Sequence, residues 1–336
     1  LGAGSGNFDL NNGTFFAYGG DRSVTNPVRL INNATTAASG DYNLSFTQAL
    51  QLLNAANNTG LNNNIVAGKS LTFAGVTANS LPNNANRTWT VDGSGTTIIA
   101  GDFTTTQTAA GGLNLSKTGD GVLILGGTGA GANNFNRNGA AIDLDRGTIR
   151  LNASEVIGDG LDTQAVPVAY GGLTLSPDLA TGDTATFDLN GQTETVNALT
   201  ATTNGTLVLD NTSNSPATFR FGANDSTVNF GSGTGNYSIQ NSGIGALSIV
   251  KLGNTSTTFN SGILLNHAGV TASEGGGSFT IASPVNATTG LRAIGGSTLA
   301  LTGGITNPGN ITNIEVGGGS TLSLLDGAGS AISDSG

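Results

Sequence analysis

The sequence predicts an all-β chain wound as a parallel β-helix, a solenoid of coils roughly 20 to 26 residues long. Three observations predict it. Short hydrophobic-x-hydrophobic segments recur throughout, among them Leu71-Thr-Phe73, Leu113-Asn-Leu115, Leu123-Ile-Leu125, Ile149-Arg-Leu151, Leu173-Thr-Leu175 and Leu207-Val-Leu209. Alternation with period two is the mark of strands with one buried face. The segments also return at a steady interval, from Leu123 to Ile149 and on to Leu173, from Phe187 to Leu207, and from Leu299 to Leu322. Each step falls in the window where internal repeats signify a solenoid rather than a globule. Between them stand Asn12-Gly13, Asp92-Gly93, Asp120-Gly121, Asn138-Gly139, Asn190-Gly191 and Asn204-Gly205, dipeptides that accept the positive φ of a tight bend.

Strands this short gain stability only when each coil hydrogen-bonds to the next at about 4.8 Å. At roughly 24 residues per coil the chain would hold about 14 coils and extend roughly 65 Å. An array of β-sandwiches would use the same turn dipeptides, but its strands would recur about every 8 to 12 residues, so the longer interval favours the solenoid. Residues 1–336 are expected to form one continuous repeat region. The chain has no Met and starts at Leu1, which suggests a fragment of a longer protein. One segment departs from the pattern. Phe46-Thr-Gln-Ala-Leu-Gln-Leu-Leu-Asn-Ala-Ala56 combines good helix formers with apolar residues at helical spacing, so a short helix or irregular insertion is expected over 46–57.

Composition narrows the function classes. Glycine accounts for 54 residues, without a collagen triplet and with only 7 prolines, so it marks turns rather than a triple helix. The 37% apolar content is enough to fold, where disordered chains are polar and highly charged. Eleven Lys and Arg against 21 Asp and Glu give a net charge of −10, spread along the chain, which argues against a nucleic-acid partner. Cysteine is absent, which removes disulfides, thiolate metal sites and Cys nucleophiles. No apolar run approaches the roughly 20 residues that span a bilayer as a helix.

Leu115-x-Lys117-x-Gly119-x-Gly121-x-Leu123-x-Leu125, followed by Asn134-Phe135, Gly139, Ile142, Gly147-Thr-Ile149 and Leu151, resembles the autotransporter-associated β-strand repeat, also called the passenger-associated transport repeat. The match is close over Leu113 to Leu151. A degenerate copy stands at Leu247-Ser-Ile-Val-Lys251-Leu-Gly253, without the second glycine and the leucine pair. Thr25-Asn-Pro-Val-Arg-Leu30 and the stretch Ala185 to Leu199 are similar to segments that accompany such repeats. The resemblance implies a right-handed parallel β-helix in the secreted, surface-exposed part of a large bacterial protein, serving as an adhesin, fibre or aggregation factor. It supplies no catalytic residues. The chain departs from autotransporters in lacking C-terminal amphipathic strands of about ten residues, as an outer-membrane barrel would need.

Few residues offer chemistry, and each has a plain alternative. His267 is the only histidine, the residue a Ser-His-Asp site would need, but no Gly-x-Ser-x-Gly elbow accompanies it; a polar residue on a coil turn is the simpler reading. Trp89 and the few tyrosines could form a sugar-stacking platform, although burial is the usual fate of aromatic rings. Asp143 and Asp145 are expected on one strand face opposite Ile142 and Leu144, a paired carboxylate arrangement able to bind Ca²⁺ or act as acid and base. Arg146 and Arg150 nearby point instead to an exposed ion-pair ladder. Gly111-Gly112 and Gly126-Gly127-Thr-Gly129-Ala-Gly131 lack the βαβ setting of a phosphate loop. Asn33, Asn86, Asn152, Asn254 and Asn310 begin Asn-x-Ser/Thr sequons.

The expected function is therefore a non-enzymatic, extracellular structural or adhesive β-helical protein on the bacterial cell surface, part of a fibre or an autotransporter-like passenger. No catalytic, cofactor or metal residue is assigned. Expected partners are further repeats or a second copy stacked end to end, with a surface glycan or host molecule as candidate ligand. The alternatives are a β-helical enzyme acting on polysaccharides and a carbohydrate-binding adhesin module.

Overall fold

Alternating apolar residues form short parallel strands, three to a turn, in the computed structural model. It describes residues 6–31, 35–53, 59–79, 87–105, 112–127, 140–158, 172–175, 182–202, 204–226, 228–232, 234–286, 288–306, 308–324 and 330–333. The chain is a β-solenoid of about ten turns, in two compact units, Leu1–Gly172 and Leu173–Gly336.

In the first unit, Val76–Asn79, Arg87–Asp92 and Thr96–Ile99 make one turn, and Phe103–Thr105, Leu113–Lys117 and Val122–Leu125 the next. The two turns stack in parallel, with Val76 beside Phe103, Arg87 beside Leu113 and Thr96 beside Val122. The second unit repeats the scheme: Thr193–Val196 pairs with Ala217–Phe221, Thr184–Asp188 with Thr206–Asp210, and Leu199–Thr202 with Val228–Ser232. Its one antiparallel pairing among the described residues joins Ser330–Ser333 to Thr321–Leu324. Turn length varies: Phe8 meets Val28 one turn on, whereas Ala217 meets Leu247, a turn half as long again.

The core is a set of columns running from turn to turn. Phe73, Ile99, Leu125 and Leu151 stand in register and are buried. Burying each aliphatic side chain contributes about 1.5–3 kcal/mol. The parallel column Leu71, Thr97, Leu123, Ile149 has one polar member, and it is satisfied: Asn63 Nδ2 donates to Thr97 Oγ1 at 3.0 Å and to Thr96 O at 2.9 Å. Aromatic rings stack in the same way. Phe15, Phe46 and Phe73 follow one another at 5.0 and 5.2 Å in the first unit, and Phe230, Phe259 and Phe279 at 4.7 and 4.8 Å in the second.

The helix or irregular insertion expected over 46–57 is not what forms where that segment is described. Leu50–Leu53 is a strand, with Leu50 and Leu52 buried, pairing with Val28–Ile31 on one side and Val76–Asn79 on the other. Neighbouring turns offer hydrogen bonds on both edges, and that tertiary pairing overrides helix propensity, which is a weak prior.

At the corners, stacking brings backbone against backbone. A Cβ on Gly119 would lie 2.3 Å from Gly93 N, one on Gly121 2.2 Å from Gly95 O, and one on Gly147, at φ +74°, 2.2 Å from Gly119 O. The Gly-x-Gly of the repeat is therefore a steric requirement of one corner sitting on another. Replacing Gly121 with Ala (G121A) is expected to lower the unfolding free energy by about 2–3 kcal/mol. The control G309A, with open space around the glycine, should stay within about 0.5 kcal/mol of the parent; denaturant titration of both decides.

Candidate functional site

The most unusual side chains lie at the repeat signature. Continuing the alternation Leu113-x-Leu115-x-Lys117 puts the lysine on an inward position, between Val91 and Leu144 in register, and it is 1% exposed. Its Nζ donates to Gly119 O, two residues on, and to Arg146 O of the following turn at 3.4 Å. Burial pushes its pKa down to about 8, opposed by the Asp92 and Asp120 carboxylates and reinforced by Arg146. Lys251 repeats the arrangement. It stands inward between Phe221 and Ser273, fully buried, and donates to Gly253 O at 2.5 Å and Gly276 O at 2.9 Å. Burial lowers its pKa too, with Asp225 opposing. Both ammonium groups bind carbonyls of two successive turns, so they hold corners together. The sequence reading missed this, though period two alone would have shown it.

Asp143 and Asp145 both border Ser116 of the preceding turn. Asp143 lies half-exposed on strand Ile142–Leu144, beside Ser116 of the preceding turn. Asp145 follows that strand and accepts from Ser116 Oγ at 3.3 Å. Arg146 does form an ion pair across turns, but with Asp120, one of its nitrogens standing 3.0 Å from Asp120 Oδ2. Among the described residues no three His, Cys, Asp or Glu side chains converge where they could hold a metal ion.

A second set of acidic side chains, buried at strand ends, ties turns together. Asp188, buried, accepts from the Thr212 backbone N at 3.1 Å and from Thr212 Oγ1 at 2.7 Å. One turn on, Asp210 accepts from Ser242 N at 2.9 Å and Ser242 Oγ at 2.6 Å. Charge-assisted bonds of this kind, repeated from rung to rung, satisfy the corner amides.

His267 stands in the connection between Ile263–Asn266 and Val270–Glu274 of the second unit, a coil turn as expected, but buried there. It is 1% exposed; Nδ1 lies 3.1 Å from Leu247 O and Nε2 3.3 Å from Thr271 Oγ1. The Thr271 hydroxyl is in turn 3.3 Å from Thr288 Oγ1, whose single proton has Gly269 O at 3.0 Å and Gly290 O at 3.1 Å as alternative acceptors. A tautomer with Nδ1–H donating to Leu247 O leaves Nε2 to accept from Thr271. Burial drives the imidazole pKa down to about 4, with the Leu247 carbonyl opposing.

Trp89 is fully buried, edge-on to Phe103 at 5.5 Å, so it offers no face to a sugar. Tyr237 is buried as well, whereas Tyr18 is exposed. Gly126 packs backbone on backbone, a Cβ there falling 2.4 Å from Ala100 O, which leaves no cradle for a phosphate. Of the sequon asparagines, Asn152 and Asn310 are exposed. Asn254 uses its amide on Asp225 Oδ2 at 3.1 Å and on Gly276 N at 3.0 Å. Asn33, Asn86, the Asn134-Phe135 pair, Gly111, Gly129, Gly131 and Gly139 lie outside the described residues.

The depressed His267 pKa has a signed consequence. An unfolded chain takes up the proton near pH 6.5 and the folded one only near pH 4, so stability present above pH 6.5 is lost as pH falls through that window. The loss should reach about 3 kcal/mol at most. H267Q, which keeps a donor and an acceptor but does not titrate there, should flatten the dependence in denaturant titrations between pH 4 and 7. An unchanged pH profile would refute the assignment. Comparison with protein-family models, curated proteins and solved structures gives no match.

Proposed function

We propose that this chain is a structural segment of a bacterial surface protein, a secreted β-helical repeat region that acts as a fibre or passenger scaffold rather than as an enzyme. The observation that carries the reading is the fate of the repeat signature: Lys117, Gly119, Gly121, Leu123 and Leu125 are all committed to turn-on-turn packing. Lys251 and Gly253 repeat the lysine bond. A segment whose most distinctive residues serve stacking has stacking as its task, and the resemblance to passenger-associated repeats fits that reading.

The first turn adds support. Among the described residues, no strand pairs with the outer edges of Phe8–Leu10, Thr14–Ala17 and Arg22–Val24. A cavity of about 610 Å³ opens there, lined by Phe8, Leu10, Phe15, Val24, Leu44 and Phe46. Open edges with apolar interiors favour another turn in register, as a second copy would supply. The chain should therefore self-associate end to end as its concentration rises, giving growing rods in electron micrographs and increasing mass in analytical ultracentrifugation. The double substitution Leu10→Asp with Phe15→Asp should suppress this. A monodisperse monomer at every concentration would sink the stacking reading.

A further inference from the structure

We infer that the outer face of the middle sheet in the first unit is a binding surface for an uncharged polysaccharide. Strand Thr14–Ala17 turns Phe15 and Ala17 inward and Phe16 outward, and Tyr18, next on the same alternation, also faces out. Phe16 is 65% and Tyr18 76% exposed, and the two rings lie side by side, centroids 6.4 Å apart and planes 28° apart. The base of this platform is held, because Arg22 Nη2 donates to Tyr18 O at 2.9 Å. Two large exposed rings sharing a surface are costly in water unless something apolar covers them.

The surroundings identify the class of ligand. In register behind Phe16 come Ser39 and then Asn64, and Asn64 Nδ2 donates to Asn62 Oδ1 at 2.7 Å. Beside them Asn62, Thr35, Thr90 and Asp92 line a shallow groove of about 240 Å³. Ring faces that meet C–H bonds, followed by amides, hydroxyls and a carboxylate that exchange hydrogen bonds with hydroxyl groups, suit a sugar better than a peptide or a lipid. Successive turns repeat at about 4.8 Å, close to the length of one pyranose ring, so a glycan lying along the turns meets one rung per sugar. Asp92 on this face and the chain's net charge of −10 disfavour a polyanion. This binding goes beyond the structural role; because Phe16 also borders the cavity at the open first turn, it is tested on the monomer.

The test uses the full chain, held monomeric at low concentration, on an array of neutral glucans, mannans, galactans and xylans, with polygalacturonate and heparin as anionic controls. At least one neutral glycan should be retained, and F16S/Y18S should weaken its binding roughly tenfold. N64A should weaken it less, and the exposed control L264S, in the second unit, should leave it unchanged. Phe16, Tyr18 and Leu264 make no side-chain hydrogen bond between turns, so the thermal unfolding midpoint of F16S/Y18S and L264S should be unaltered, which separates lost binding from lost fold; N64A, which loses the bond from Ser94 N, is read against its own midpoint. Retention of no neutral glycan, stronger retention of the anionic ones, or unchanged affinity in F16S/Y18S would overturn the proposal. Because stacking is read separately by ultracentrifugation, either reading can fail alone.

Discussion

Everything in this molecule depends on one turn lying directly on the next. Parallel strands at a spacing of about 4.8 Å put each side chain in register with one above and one below, so the ladder sets what the inward and corner positions can be. Inward columns must be apolar or carry polar groups that satisfy each other, and corners must have no side chain where backbones touch. The glycines at 119, 121 and 147, the aromatic stacks and the buried acids are separate answers to that single demand. Strands of three to five residues, which could not persist alone, become stable because both edges are paired.

Polar groups inside a solenoid follow the same logic. A buried lysine would ordinarily cost several kcal/mol, yet Lys117 and Lys251 sit where carbonyls of two turns converge. Removing the ammonium would take a donor from each of those carbonyls. Asp188 and Asp210 do the reverse, accepting from amides and hydroxyls of the next turn. Thr97 with Asn63, and His267 with Thr271 and Thr288, are neutral versions. In each case hydrogen bonds between turns accompany the hydrophobic columns and fix which turn residue meets which.

Much of the fold was legible in the sequence because its two signals are geometric. Alternation in Leu123-Ile-Leu125 names the buried face, and recurrence of such segments names the stack. Leu50 and Leu52 were harder, since spacing in that stretch suits a helix as well as a strand and only the neighbouring turns decide. The candidate site was less legible. Lys117 was read as part of a motif, although the alternation that buries Leu113 and Leu115 also buries the lysine. His267 gave no local sign of its depth, because the hydroxyls that receive it come from positions 271 and 288. Trp89 is buried, as the usual fate of aromatic rings suggested, and the exposed Phe16 and Tyr18 differ from it in the parity of their position.

Turn length has a wider consequence. Short rungs and long ones keep the same parallel register, because surplus chain is placed between strands and only a few inward and corner positions are constrained. Such a scaffold carries little sequence information per turn. Substitutions and insertions can accumulate at most positions while the architecture persists, so two solenoids built to the same plan can lose all recognisable likeness in sequence.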